Sequence, residues 1–518
     1  MTVAPLDLVR AIEGELVAGD LASAGELSDV TRDSRRVGPG VVFVAVRGTS
    51  RDGMAFAADA VREGAAIVVV ERGALQGSAI VRERIDGTVV PVVTVADARV
   101  ALARAAHVIF GDPTAELDVV GITGTNGKTT TSYLVEGVLA ACGGRVARMG
   151  TIAYALPGEK PTPAPLTTPE SDDVARFARA ARDRGATHLV MEVSSHALSM
   201  ARVEGVRFSC AVFTNLTQDH LDFHGTMAAY EAAKRRLFVE HGPRTAAINV
   251  DDPVGRRFAA ATGARVIAFG RTASSADVTA VEARFDRDGL VARVRFPDGE
   301  RDVRSPFVGA HNLENVLAAL SVAVALGLDL DKAIEGVAAV AGVPGRLERV
   351  AHPRGALVVV DYAHTPDALE RALAALRPIT PRRLLCVFGC GGDRDRGKRP
   401  LMGEAVARGA DVAIVTDDNP RTERREDIHA AIVDGVVRAG ARHVEPDELE
   451  TASSAAFTVV PDRAGAIAAA VRAAGDGDTV LLAGKGHEDY QIVGTVKRPF
   501  DDRLEALRAV GLATPAGA

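Results

Sequence analysis

The chain has 518 residues, 47% of them hydrophobic and 25% charged, a globular composition that excludes a mainly disordered protein. Sixty-one Lys and Arg against 68 Asp and Glu leave a net charge of −7, where a general nucleic-acid binder would show a basic excess. Apolar runs stay short of the roughly 18 residues a membrane helix needs. Residues 1–10 lack a signal-peptide pattern, and four Cys in so long a chain do not make a disulfide framework. A soluble, multidomain protein of a reducing compartment, the cytoplasm, is expected.

Taken in order, residues 41–46, 66–70 and 90–95 read as strands, and 97–110 as a helix ended by Gly111-Asp-Pro-Thr114. Residues 117–123 form a buried strand that opens a second domain, with further strands at 189–193, 210–214 and 245–249. The Pro-rich stretch 157–165 reads as an exposed loop. A long Ala-rich helix begins near Asn312, and a break follows at 341–346. Strands then recur at 357–361, 383–388, 412–416 and 479–483, and 513–518 read as a frayed tail. Strands alternating with helices predict α/β domains with largely parallel sheets. Three are expected, at 1–110, 111–345 and 346–518.

Gly124-Thr-Asn-Gly-Lys-Thr-Thr130 lies between a buried strand and a helix at 131–142. Backbone N–H groups and a helix N-terminus there can surround a triphosphate, with Lys128 along its outer phosphates and the Thr129 hydroxyl on Mg²⁺. Ile122 stands where the strict phosphate-loop pattern has its first Gly. The plain alternative is a Gly-rich turn with a solvated Lys. Glu192, at a strand end, would project at the carboxyl edge of the same sheet, where ligands of open parallel sheets collect. Asp219-His-Leu-Asp-Phe-His224 supplies a second cluster there. A His and a carboxylate from separate strand ends could hold Mg²⁺, although the D-H-x-D-x-H spacing alone suggests zinc. Tyr230-Glu-Ala-Ala-Lys234 by itself reads as an ordinary solvated helix face.

Together these segments resemble the Mur ligases, the ATP-dependent amino-acid ligases of peptidoglycan precursor synthesis. The resemblance rests on the phosphate loop, Glu192-Val-Ser-Ser-His196, Asn215-Leu-Thr-Gln-Asp-His-Leu-Asp222, Tyr230-x-x-x-Lys234, Gly309-Ala-His-Asn-Leu-Glu-Asn315, Gly345-Arg-Leu-Glu348 and Asp361-Tyr-Ala-His-Thr-Pro-Asp367. It covers nearly the whole chain. Asp33-Ser-Arg35, Leu166-Thr-Thr-Pro169, Gly389-Cys-Gly-Gly-Asp-Arg-Asp395, Asp418-Asn-Pro-Arg421 and Gly484-Lys-Gly-His-Glu488 are most similar to members that add the third peptide residue to UDP-N-acetylmuramoyl-L-alanyl-D-glutamate. The family implies a small UDP-substrate domain, a central ATP-binding domain with a phosphate-loop NTPase-like sheet, and a Rossmann-like C-terminal domain that takes the amino acid.

The resemblance also implies roles. Gly124, Thr125, Asn126, Gly127, Lys128, Thr129, Thr130, Asn315, Arg346 and Asp361 would contact ATP. Thr129, Glu192, His220 and Lys234, the last as a CO₂-derived carbamate, would serve Mg²⁺. Lys128, Lys234, His220 and Arg346 would be the catalytic set. Ser34, Thr49, Ser50 and Arg51 would meet the uridine nucleotide, and Thr167, Thr168, Ser194 and Arg202 the muramoyl dipeptide. Met200 stands where relatives often carry Gln. Arg394, Asp418, Asn419, Pro420, Arg421, Gly484 and Glu488 would receive the amino acid, meso-diaminopimelate, in a monomer that neither enters membranes nor binds nucleic acid. L-Lysine or another diamino acid is the nearest alternative substrate. A folylpolyglutamate synthetase-like ligase and a non-ligating nucleotide switch are the rival functions.

Overall fold

The computed structural model describes residues 2–48, 51–74 and 90–512. It divides into two compact units, Met1–Thr279 with Asn315–Val337, and Ala280–Glu314 with Ala338–Ala518.

The first unit holds two sheets. One has the order Glu15–Ala18, Val92–Val95, Ile67–Glu71, Val41–Val44, Asp29–Thr31, parallel except for its first pair. Its strands are β-branched runs without turn residues, and alternation sends successive side chains to opposite faces. Ile67 and Val69 pack with Ala98, Leu102 and Ala105 of the helix Ala98–Ile109, whereas Val68 and Val70 pack with Ala57 and Ala60.

The second sheet of this unit runs Arg265–Gly270, Thr245–Asn249, Phe208–Phe213, Asp118–Thr123, His188–Glu192, Val146–Met149, all parallel. Ala153–Ala155 and Thr162–Pro163 extend it antiparallel. The segment expected to be an exposed loop at 157–165 contains an exposed two-residue edge strand, a position in a sheet that tolerates Pro. Asp118–Thr123 is central, and the segments after it and after both neighbours open at one sheet edge. The expected long helix is two, Ala310–Leu326 and Leu330–Ala339, separated at Gly327, which has φ +69°.

In the second unit a sheet runs Glu348–Val350, Leu357–Asp361, Thr479–Ala483, Leu384–Phe388, Val412–Val415, Ala456–Val459, Arg442–His443, parallel except for its first pair. The helices Pro366–Leu376, Lys398–Gly409 and Arg425–Arg438 cover one face, and Arg463–Ala473 with Asp502–Ala509 the other. A fully buried pair, Arg463 Nε to Asp502 Oδ1 at 2.7 Å, ties the last two together. Two antiparallel hairpins, Gly289–Phe296 with Gly299–Ser305 and Tyr490–Val493 with Val496–Pro499, were not expected from the sequence. The four Cys are free thiols, and among the described residues no helix is long and apolar enough to cross a membrane. Residues 513–518 lie outside the described residues.

Candidate active site

The helix after the phosphate loop spans Lys128–Ala141, three residues earlier than the sequence suggested. Gly124 and Gly127 have φ of +150° and +87°, a region costly to any side chain. A Cβ at Gly124 would also strike Thr214 Oγ1, and one at Gly127 would strike Asn315 Oδ1. Buried Asn315 accepts a hydrogen bond from Thr131 Oγ1 at 3.3 Å, so the loop and the asparagine pack as one piece. The segment after Phe208–Phe213 fixes the loop from the other side. Thr125 N donates to Asn215 O at 2.8 Å, Asn126 N to Asn215 Oδ1 at 3.0 Å, and Thr214 Oγ1 to Asn126 O at 2.6 Å. Lys128 Nζ folds back over the loop and donates to the carbonyls of Gly124 and Thr125, each at 2.9 Å. Thr130 is buried beneath it.

Glu192 is the last residue of its strand and fully buried. Its carboxylate accepts Thr129 Oγ1 at 3.0 Å, Thr151 Oγ1 at 2.9 Å and Thr151 N at 2.8 Å. Thr151 is a site residue the sequence reading missed; a Gly-Thr after a strand carries no signal of its own. Its hydroxyl lies 3.1 Å from that of Thr167. Thr168 Oγ1 donates to the Glu192 carbonyl at 2.8 Å and accepts Ser194 N at 3.1 Å. Arg202 donates to the Thr168 carbonyl at 3.0 Å and pairs at 2.9 Å with Glu170, itself paired with Arg99 at 3.1 Å. Thr167, Thr168, Ser194 and Arg202 are therefore gathered around Glu192. Met200 Sδ sits 3.5 Å from the Arg202 guanidinium.

Lys234 overturns the solvated-face reading of its helix, since it is 1% exposed. Its Nζ donates to the Gly124 carbonyl at 2.8 Å, sharing that oxygen with Lys128, and lies 4.6 Å from the centre of the Tyr230 ring. The Tyr230 hydroxyl is 3.1 Å from Thr125 Oγ1. Burial, and next the Lys128 charge, hold the Lys234 ammonium well below the usual lysine range, which favours a neutral, nucleophilic amine. His220 adopts φ +52° and is exposed, with His196 and Tyr230 ring centres 4.9 and 6.1 Å away. Partial desolvation lowers its pKa, keeping the imidazole neutral.

The D-H-x-D-x-H segment does not fold into a zinc site. Among the described residues no group of three or more His, Cys, Asp or Glu is gathered as a metal cage, and His224 turns to Ser195 Oγ at 2.9 Å. The buried Glu192 carboxylate and the Thr129 hydroxyl bonded to it are instead oxygen donors of the kind a hard cation that keeps waters takes.

Ser34 opens the turn Ser34–Arg36, capped by Asp33, which accepts Arg35 N at 3.1 Å and pairs with the Arg35 guanidinium at 2.7 Å. Arg51 is exposed, and Thr49 and Ser50 lie outside the described residues.

In the second unit, four strand ends bring the remaining candidates together. Arg346 lies 5.2 Å over the Tyr362 ring, and Asp361 accepts the N–H groups of Leu347 and Ala363 at 2.8 and 2.9 Å. Burial raises the Asp361 carboxyl against the pull of Arg346. Gly484 N donates to the Asp361 carbonyl at 3.0 Å. Asn419 Nδ2 donates to Glu488 Oε2 at 3.2 Å, and Pro420 beside it is buried. Arg421, at φ +51°, donates to the Gly392 carbonyl at 2.7 Å. Exposed Arg394 lies beside it: a Cβ built on Gly391 would be 3.2 Å from Arg421 Nη1 and 3.7 Å from Arg394 Cγ. Buried Lys485, adjoining Asp418, Asn419 and Glu488, is the second residue missed.

A strand–loop–helix phosphate site with a buried lysine against its loop marks a phosphate-binding α/β enzyme. Three family models match: Mur ligase family catalytic domain over residues 26–109, Mur ligase middle domain over 122–323, and Mur ligase glutamate ligase domain over 345–486. The UDP-N-acetylmuramoyl-L-alanyl-D-glutamate–2,6-diaminopimelate ligase of Geobacter metallireducens is 47% identical over 97% of each chain. Its counterpart in Geobacter sulfurreducens is 45% identical over 97% of this chain and 98% of its own. A solved structure of a ligase of the same name superposes with a TM-score of 0.69, at 32% identity and 99% coverage of both chains. The chain belongs to the Mur ligase family and is an ATP-dependent, amide-bond-forming ligase.

Proposed function

We propose that this enzyme joins meso-diaminopimelate to UDP-N-acetylmuramoyl-L-alanyl-D-glutamate, in the cytoplasm and as a monomer, with ATP split to ADP and phosphate. What carries the reading is Glu192: its carboxylate joins the phosphate loop, through Thr129, to Thr151 and so to Thr167, and its backbone carbonyl accepts Thr168 Oγ1. Phosphoryl donor and phosphoryl acceptor thus have their contacts on one connected set of residues. The γ-phosphoryl passes to the D-glutamate side-chain carboxylate, giving an acyl phosphate and ADP. The incoming amine attacks the acyl carbon and phosphate leaves as the amide forms.

The chain's contribution is positioning and charge neutralisation. Lys128, already held at the loop carbonyls, turns to the outer phosphates of ATP. Arg202 and Thr168 hold the dipeptide arm, and Ser34 with Arg51 the uridine end. Thr129, Glu192, His220 and Lys234 as carbamate would hold Mg²⁺, which when bound neutralises phosphate charge. At the carboxyl edge of the second unit's sheet, Arg421 and Arg394 offer forks to a far carboxylate, and Asp418 or Glu488 meets the far ammonium.

The test is phosphate release from ATP by the purified enzyme. It should require the UDP-linked dipeptide and the amino acid together. Release that needs neither would fit a nucleotide switch, and release with a folate and glutamate would fit the folate ligase.

A further inference from the structure

Lys485 stands in the segment after Thr479–Ala483 and is 0% exposed. A buried lysine that keeps its charge is paired and hydrogen-bonded. Its Nζ donates to the Tyr490 carbonyl at 2.7 Å and to Asn419 Oδ1 at 3.1 Å, and lies 3.4 Å from Asp418 Oδ1 and 3.8 Å from Glu488 Oε2. The Tyr490 and Phe500 rings flank it at 5.9 and 6.0 Å. Three partners of this ammonium, Asp418, Asn419 and Glu488, are thus residues of the amino-acid end, yet Lys485 itself is covered.

The charges decide what such a cluster accepts. The carboxylates of Asp418 and Glu488 are balanced by Lys485 and Arg421, and the Arg463–Asp502 pair nearby neutralises itself. Asp418 Oδ1 is buried and makes no hydrogen bond, so the Lys485 ammonium 3.4 Å away is its charged partner. A formally neutral cluster matches an amino acid whose far end carries one ammonium and one carboxylate. A far end with an ammonium alone brings an uncompensated positive charge.

We infer that Lys485 is a specificity-determining positioning residue: it orients Asn419 and Asp418 and sets the charge balance that favours a neutral diamino dicarboxylic acid over a cationic diamino acid. The inference rests on the function proposed above.

The experiment measures kcat/KM for meso-diaminopimelate and for L-lysine with wild type, Lys485→Met and Lys485→Gln. Lys485→Met raises KM for meso-diaminopimelate roughly 10-fold or more, the scale of losing hydrogen bonds to a charged group. The ratio of the two kcat/KM values falls by a similar factor, because a cluster one charge more negative favours the cation. KM for ATP and for the UDP-dipeptide stays within about twofold. Lys485→Gln keeps a hydrogen-bond donor while removing the charge; it shows the same fall in ratio with a smaller change in KM. Glu488→Gln, in the folded wild-type background, moves the charge the other way and widens the ratio. Parallel losses for both amino acids, or an unchanged ratio in the variants, overturn the inference while leaving the ligase reading intact. A wild type that uses neither amino acid removes the reading beneath it.

Discussion

Lys234→Met separates stability from catalysis. The side chain is 1% exposed and its amine makes one hydrogen bond, to the Gly124 carbonyl at 2.8 Å, beside a second lysine on the same oxygen. Methionine keeps the length and removes a polar group whose burial costs roughly 1–3 kcal/mol. The lost hydrogen bond returns about 1 kcal/mol of that. The variant should therefore be as stable as wild type or more stable, by up to about 2 kcal/mol. The sign follows from the depressed lysine pKa: its contribution is present above the unfolded value, roughly 10.4, and is lost as pH falls from there towards the folded value. At pH 8 wild type carries the added cost of deprotonating the buried amine and Lys234→Met does not; near pH 11 that part is gone and the gap narrows to the cost of burying the neutral amine. Turnover should fall at least 100- to 1000-fold, roughly the scale of removing one electrostatic stabiliser. Lys234→Ala should regain part of it with added formate or acetate, because a small anion can enter the vacated space. Urea unfolding at both pH values, with phosphate release at saturating substrates, checks both halves. Near-native turnover in either variant would refute the carbamate role, and a large loss of stability would refute the burial argument.

Lys128→Ala should raise KM for ATP far more than KM for the UDP-dipeptide, measured by steady-state phosphate release; equal losses would count against the phosphate-loop assignment. Arg421→Ala should narrow the preference for meso-diaminopimelate over L-lysine mainly by weakening the former, in a two-substrate comparison; an unchanged preference would make Arg421 a structural turn residue. Asp172 is 1% exposed, its Oδ1 has no hydrogen-bond partner, and burial pushes its carboxyl up to about 6. A raised carboxyl contributes stability fully below about pH 4 that is lost as pH rises through about 6. The displacement from 3.8 converts to about 3 kcal/mol, so Asp172→Asn should be more stable than wild type at pH 8, with the advantage gone by pH 4. Urea unfolding at the two pH values measures it, and equal stability at pH 8 would contradict the burial argument.

The central parallel strands were legible because each is an unbroken apolar run between turn residues, and Asp118–Thr123 with its glycine loop is the clearest case. The strands Asp29–Thr31, Val146–Met149, Arg265–Gly270 and Ala456–Val459 were not read. The hairpin Gly289–Phe296 with Gly299–Ser305 was not, because one face is exposed and its Arg and Glu residues dilute the apolar signal. Lys234 shows the other limit: helical spacing puts it on a face but cannot say that Tyr230 and the phosphate loop cover that face. Thr151 acts through a partner distant in sequence, Glu192, and nothing local marks it; Lys485 stands inside the Gly484-Lys-Gly-His-Glu488 motif, but its burial against Asn419 appears only in the fold. The grouping of Thr167, Thr168, Ser194 and Arg202 likewise appears only once their segments fold around Glu192.

The central claim is the bond this enzyme makes, and an amino-acid panel tests it most directly. Purified enzyme is incubated with ATP, Mg²⁺ and UDP-N-acetylmuramoyl-L-alanyl-D-glutamate together with meso-diaminopimelate, L-lysine, ornithine or diaminobutyrate, and the nucleotide product is resolved by mass. The account predicts a product heavier by one diaminopimelate residue, formed with strong preference over the other three. Equal conversion of L-lysine, ornithine or diaminobutyrate, or no adduct with meso-diaminopimelate, would contradict it.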